Sequence, residues 1–200
     1  MLGKVGSTGG AIIEQWDIKY LVNGNWVYEV TGENVEQSES RNTAYRSSAT
    51  ELVFNTTVKN IGYMAFRYWE NLKKVIFNSD LQNIGSYSFE SCKSLLEVVI
   101  PDSVFSVGAF AFSTCTAIEK LIVGSNVESV QGSAFSNLYS LETLVFRGAP
   151  PLFGESVFGN GGSLNTDPSS IYVLDVASYK AAHNFFQFKS TVYPLSDYIP

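Results

Sequence analysis

Residues 83–100 read NIGSYSFESCKSLLEVVI, and 23 positions later residues 106–123 read SVGAFAFSTCTAIEKLIV. The same sentence is written nearly twice, so the first question is how far the repeat extends. The pairs Ile61-Gly62, Ile84-Gly85 and Val107-Gly108 fall on one step, followed by Val130-Gln131 and Phe153-Gly154. An aromatic column keeps the phase at Phe66, Phe89, Phe112, Phe135 and Phe158. An aliphatic column follows it at Leu72, Leu95, Ile118, Leu141 and Leu164. Each copy then carries L-x-x-L-x-L, as in Leu72, Val75, Phe77 or Leu95, Val98, Ile100. The last two of each trio alternate, which is strand spacing. The glycine suits a turn where a Cβ would clash, and the small residues Ala65, Ser88, Ala111 and Ala134 let backbones approach. One unit cannot bury its own apolar face, whereas stacked copies bury a continuous core, so the array is a solenoid.

The string Ile84-Gly85, Ser88-Phe89, Cys92, Leu95, Val98, Ile100-Pro101 resembles the BspA-type leucine-rich repeat. The resemblance covers about residues 48–175, and VLDVASYKAAHNF (173–185) is similar to the segment that ends such arrays. It implies a cell-surface or secreted module for adhesion and protein or matrix binding, with no catalytic residues to carry over. The sequence departs from the pattern at Gln131 in the glycine column, and at Trp69 and Leu138 in the cysteine column. The fifth copy is also shifted. Its strand is due near Asp167, yet the apolar run sits at Ile171–Val173, so GNGGSLNTDPSS carries an insertion of about four residues. The expected fold is a β-rich α/β solenoid of period 23, with an N-terminal β-hairpin cap and a C-terminal helical cap. The expected boundaries are a Gly/Ser-rich arm over 1–10, the hairpin cap over 11–47, the repeat solenoid over 48–170 and the C-terminal cap over 171–200.

The hairpin rests on DIKYLVNGNWVYEV (17–30), where Asn23-Gly24 signals a type I′ turn between two strand-like runs. Its aromatics Trp16, Tyr20, Trp26 and Tyr28 either cap the first rung or form a ligand-stacking surface. At the other end, DVASYKAAHN reads as a short helix beginning near Asp175 or Ser178. Phe185, Phe186, Phe188 and Tyr193 are expected to cover the last rung.

Composition narrows the function. Of 200 residues 45% are hydrophobic, enough for a sizeable core, and net charge is −6. Nucleic-acid binding would need a clustered basic face, and anionic membrane surfaces would also select for basic charge. No apolar run approaches the ~18 residues of a membrane-spanning helix. MLGKVGSTGG has no apolar h-region and is not a signal peptide. Export by family resemblance therefore requires a trimmed chain or another route.

Chemistry finds little to stand on. His183 is the sole histidine and has no G-x-S-x-G partner. No C-x-x-C, H-E-x-x-H or EF-hand string occurs, so neither metal nor cofactor is expected. Glu119 and Glu142 fall one rung apart, but a solvated repeat face accounts for them. Gly159–Gly162 lacks the lysine and the strand-to-helix switch of a phosphate cradle, and reads as a loop. Cys92 and Cys115 stack on neighbouring rungs, which leaves two readings: a disulfide, needing Cα atoms about 4.4–6.8 Å apart, or two thiols filling one buried slot. The chain is not expected to be an enzyme.

The candidate binding site lies between the inward positions of each strand. Ile76, Val99, Ile122 and Val145 alternate outward and form an aliphatic ladder, with rungs about 4.8 Å apart. Lys74, Glu97, Lys120 and Thr143 flank it. An apolar stripe with a polar rim marks a protein interface, although strand propensity alone also places β-branched residues there. The leading expectation is a non-enzymatic recognition module, an adhesin or protein binder acting through this face. The alternative is a structural assembly component, such as a virion fibre or decoration protein, attached through residues 1–47.

Overall fold

The computed structural model describes residues 16–36, 44–160, 163–164, 168–182 and 191–199. The terminal arm, His183, Phe185, Phe186 and Phe188 lie outside the described residues.

Each repeat contributes one strand to each of two sheets. The longer sheet has nine strands. Its parallel set is β4 (Ala49–Phe54), β6 (Lys74–Ile76), β8 (Glu97–Val99), β10 (Lys120–Val123), β12 (Thr143–Phe146), β16 (Ser170–Val173) and β17 (Thr191–Pro194). The shorter sheet pairs β3 (Asn34–Val35), β5 (Asn60–Ile61), β7 (Asn83–Ile84), β9 (Ser106–Val107), β11 (Ser129–Val130) and β13 (Leu152–Phe153), all in parallel. The outcome is a β-solenoid of about six turns with a period near 23.

The columns seen in the sequence become the core. Phe66, Phe89, Phe112, Phe135 and Phe158 stack along the axis, with successive ring centroids 5.3, 5.2, 6.1 and 5.8 Å apart. The glycine column is where adjacent turns touch: a Cβ on Gly108 would lie 2.4 Å from the Ser86 nitrogen. Where Gln131 replaces glycine, its side-chain Oε1 accepts a hydrogen bond from the Ala109 N–H of the preceding turn (3.2 Å). On the shorter sheet a polar ladder runs between turns. Asn60 Nδ2 donates to Asn34, Asn83 Nδ2 to Asn60, and the Ser106 hydroxyl to Asn83, each at 2.7 Å.

Of the two cysteine readings, the structure has the thiols. Cys92 and Cys115 are free and fully buried. The Cys92 Sγ donates to the Phe66 carbonyl at 3.4 Å and the Cys115 Sγ to the Phe89 carbonyl at 3.1 Å. Burial, with the neighbouring Cys115, pushes the Cys92 thiol well above its ordinary pKa.

At the front, β1 (Ile18–Val22) and β2 (Asn25–Glu29) form an antiparallel hairpin. Asn23 and Gly24 take φ of 51° and 79°, the left-handed pair a type I′ turn needs. β1 pairs antiparallel with β4 and so covers the first parallel edge. Tyr20 is buried between Tyr45 and Trp69 (centroids 5.2 and 5.6 Å), so it belongs to the core and not to a ligand surface. Asp17 ties the hairpin down. Its carboxylate accepts from the backbone N–H groups of Thr31 (2.6 Å) and Gly32 (2.8 Å) and from the Thr57 hydroxyl.

At the back, Leu144 pairs with Ile171, four positions beyond the expected 167, and the extra length includes a small hairpin of β14 (Gly159–Asn160) and β15 (Ser163–Leu164). The expected helical cap reduces to one short helix, α1 (Val176–Ala181), N-capped by the Asp175 side chain. Its buried Tyr179 donates to the carbonyls of Gly148 (3.2 Å) and Ala149 (3.1 Å). The sheet does not stop there: β17 pairs in parallel with β16 and ends the long sheet.

Candidate functional site

The alternation of the long sheet sends Leu121, Val123, Leu144 and Phe146 into the core and their neighbours to the opposite face. Strand register then lines up two outward columns. One runs Glu51, Lys74, Glu97, Lys120, Thr143. The other runs Val53, Ile76, Val99, Ile122, Val145 and continues into Tyr172 and Tyr193. The eight candidate residues therefore share one face.

They do not share one environment. Ile76 and Val99 are 41% and 39% exposed, whereas Ile122 and Val145 are 4% and 0% exposed. The expected open ladder is open over its first half only. The second half lies where the chain folds back after β17. A 3-10 turn at Leu195–Asp197 leads to Tyr198, whose ring sits 5.2 Å from that of Tyr172 and 5.6 Å from the Lys120 ammonium. Lys120 also pairs with Glu97 Oε1 at 3.2 Å. The Tyr198 phenol and then Glu97, acting against burial, hold the Lys120 pKa above the ordinary lysine value. Residues 195–199 thus form a strap across the outer face.

Beside the strap the face remains open as a groove of about 920 Å³. Ile76, Val99, Leu96 and Pro101 are among its apolar lining, and Lys73, Lys74, Glu97 and Glu51 supply its charges. Among the described residues Lys74 forms no ion pair, and Glu97 is engaged by Lys120. At the hairpin end Lys19 lies over the rings of Trp16 (5.1 Å) and Trp26 (4.6 Å), closing the outward column with a cation–π cluster.

A second aromatic cluster sits on the turns. The Arg67 guanidinium lies 4.4 Å from the ring of Tyr68 and 5.3 Å from that of Tyr87, and its Nε donates to Glu90. Among the described residues no group of three or more metal-ligating side chains occurs, and no helix is long and apolar enough to cross a membrane.

The strap was not legible in the sequence. Tyr172 was, since it stands between the inward-facing Ile171 and Val173 just as Ile76 stands between Val75 and Phe77. Nothing in LSDYIP announces that Tyr198 returns to the sheet.

Two parallel sheets wound from leucine-rich turns define a repeat solenoid of the kind used as a binding scaffold. The chain belongs to the BspA type leucine rich repeat region family, whose model matches residues 40–165 in six copies. Comparison with curated proteins gave no match. Among solved structures, the crystal structure of the pneumococcal vaccine antigen PcpA is similar at 22% identity and a TM-score of 0.53. The likeness covers 80% of this chain and 40% of that one, so this chain matches less than half the length of that protein.

Proposed function

We propose that the protein is a non-enzymatic recognition module that binds protein ligands at a cell surface or outside the cell, through the open half of its long-sheet face. One observation carries this reading. Ile76 and Val99 stay exposed beside Lys74 and Glu97 in a concave groove, on a sheet where the next two aliphatics of the ladder, Ile122 and Val145, are buried. An apolar strip of this kind with a charged rim is the anatomy of a protein interface. Membership of a repeat family built as binding scaffolds, and likeness to an antigen, support it.

The test is adhesion to immobilised fibronectin, laminin and collagen by surface plasmon resonance. Ile76→Thr with Val99→Thr keeps strand propensity and removes the apolar strip. The paired substitution is expected to weaken binding at least tenfold, since two desolvated aliphatic contacts are lost. Undiminished binding by the folded double variant would overturn the reading.

A further inference from the structure

The outer face carries the same arrangement twice. Lys120, Ile122 and Val145 recur two repeats earlier as Lys74, Ile76 and Val99. Each lysine has a glutamate on the strand before it, Glu97 for Lys120 and Glu51 for Lys74. Each aliphatic pair lies one strand apart on the same face. Parallel in-register stacking relates the two copies by two strands along the sheet; they differ beyond the shared triad, where Tyr172 and Thr143 beside the first are matched by Ile122 and Glu97 beside the second.

Only one copy is occupied. At Lys120 the chain lays its own strap, with the Tyr198 ring over the ammonium and the aliphatic pair buried. At Lys74 the equivalent pair is exposed, the ammonium is unpaired among the described residues, and a groove lies above it. The occupied copy thus records what this surface accepts: a short segment with a 3-10 turn, whose tyrosine places its ring beside a lysine on a strip where the aliphatic pair is buried. From this repetition we infer that the open copy at Lys74, Ile76 and Val99 binds a short tyrosine-bearing peptide segment of a partner protein, of which the strap is an internal mimic.

The physics favours that occupant over others. An aromatic ring gains from both the lysine charge and the aliphatic floor. A purely aliphatic segment would leave the Lys74 ammonium uncompensated beneath it. An acidic segment would find no net positive charge, because Glu51 and Glu97 flank Lys74 and offset the two lysines of the groove, Lys73 and Lys74.

This inference rests on the reading of the open face as a protein-binding surface, and the test separates the two. The probe is the synthetic peptide PLSDYIP, the sequence of residues 194–200, titrated into the full chain by calorimetry. A parallel peptide with its tyrosine replaced by photoreactive benzoylphenylalanine is cross-linked and mapped by mass spectrometry. Expected are saturable binding with one equivalent, cross-links on β6 and β8, and at least tenfold weaker binding for Lys74→Ala, for Ile76→Asp and for the peptide PLSDAIP. The peptide substitution leaves the protein unchanged, so a failure to fold cannot imitate the result. No binding at millimolar peptide, cross-links confined to β10 and β12 by exchange with the strap, or equal affinity for the tyrosine and alanine peptides would each overturn the inference. Should the peptide fail while the Ile76→Thr, Val99→Thr pair still abolishes matrix-protein binding, the face is a binding surface and the occupant is wrong. Should both fail, the reading of the face falls with it.

Discussion

At the scale of single residues, two columns decide how closely the turns pack. Gly108 shows the limit: an added Cβ would sit 2.4 Å from the Ser86 nitrogen and 2.6 Å from the Gly85 carbonyl carbon, both rigid backbone. Gly108→Ala is therefore expected to force neighbouring turns apart at a cost of about 1–3 kcal/mol, the range of overpacked cores. Thermal or urea unfolding measures it, and an unchanged midpoint would show that the turns can relax. The cysteine column makes a chemical prediction instead. Thiolate is the reactive form, and burial, with the neighbouring Cys115, disfavours it at Cys92. Both thiols should resist alkylation in the native protein and react fully once it is unfolded. Rapid native modification of either would mean that this part of the core opens locally.

Among the elements, the hairpin hangs on Asp17. Burial raises its carboxyl pKa, but hydrogen bonds from Thr57, Gly32 and Thr31 together outweigh that and leave it below 3.8. A carboxylate whose folded pKa is depressed stabilises the fold above its unfolded value and loses that contribution as pH falls through the folded one. Asp17→Asn is expected to cost about 1–3 kcal/mol at pH 7, the worth of hydrogen bonds to a charged group. The gap to the wild type should begin to narrow below about pH 4, where the carboxyl of the unfolded chain takes up a proton, and close as pH falls further through the lower folded value. Melting curves at pH 7, 4 and 3 for both proteins test this, and a gap that stays constant would place the stabilisation elsewhere. The elements also show what the sequence could say. Periodic columns such as Phe66 to Phe158 were legible because every turn repeats one environment, and Asn23-Gly24 because left-handed φ selects those residues. The outward direction of Ile76, Val99, Ile122 and Val145 followed from alternation alone. Their unequal exposure did not, because it depends on a non-repeating strap whose docking leaves no periodic trace. The end of the sheet was misread for the same reason, since TVYP gives four residues of strand with no repeat to announce it.

For the whole molecule, stacking in one dimension makes the ends as consequential as the middle. Apart from the strap that reaches back to Lys120, each turn contacts chiefly its neighbours, so stability is close to a sum of unit and interface terms. An uncovered terminal strand offers unpaired N–H and C=O groups to any other chain. Here β1 pairs along β4 from Ile18↔Phe54 to Val22↔Ala49, and Tyr20 fills the slot beside Trp69. Deleting residues 17–30 would expose both that edge and that slot. The shortened protein is expected to self-associate, with light scattering showing dimers or larger species where the full chain has a lower mass. Hydrogen exchange should show a gradient as well: protection falls most in β4 and β6, less in β8, and least in β12, because the loss reaches each turn only through the one before it. A uniform fall in protection would mean that the solenoid unfolds as one cooperative unit despite its chiefly nearest-neighbour contacts. A shortened protein of unchanged mass and stability would mean that the hairpin does not guard the first edge at all.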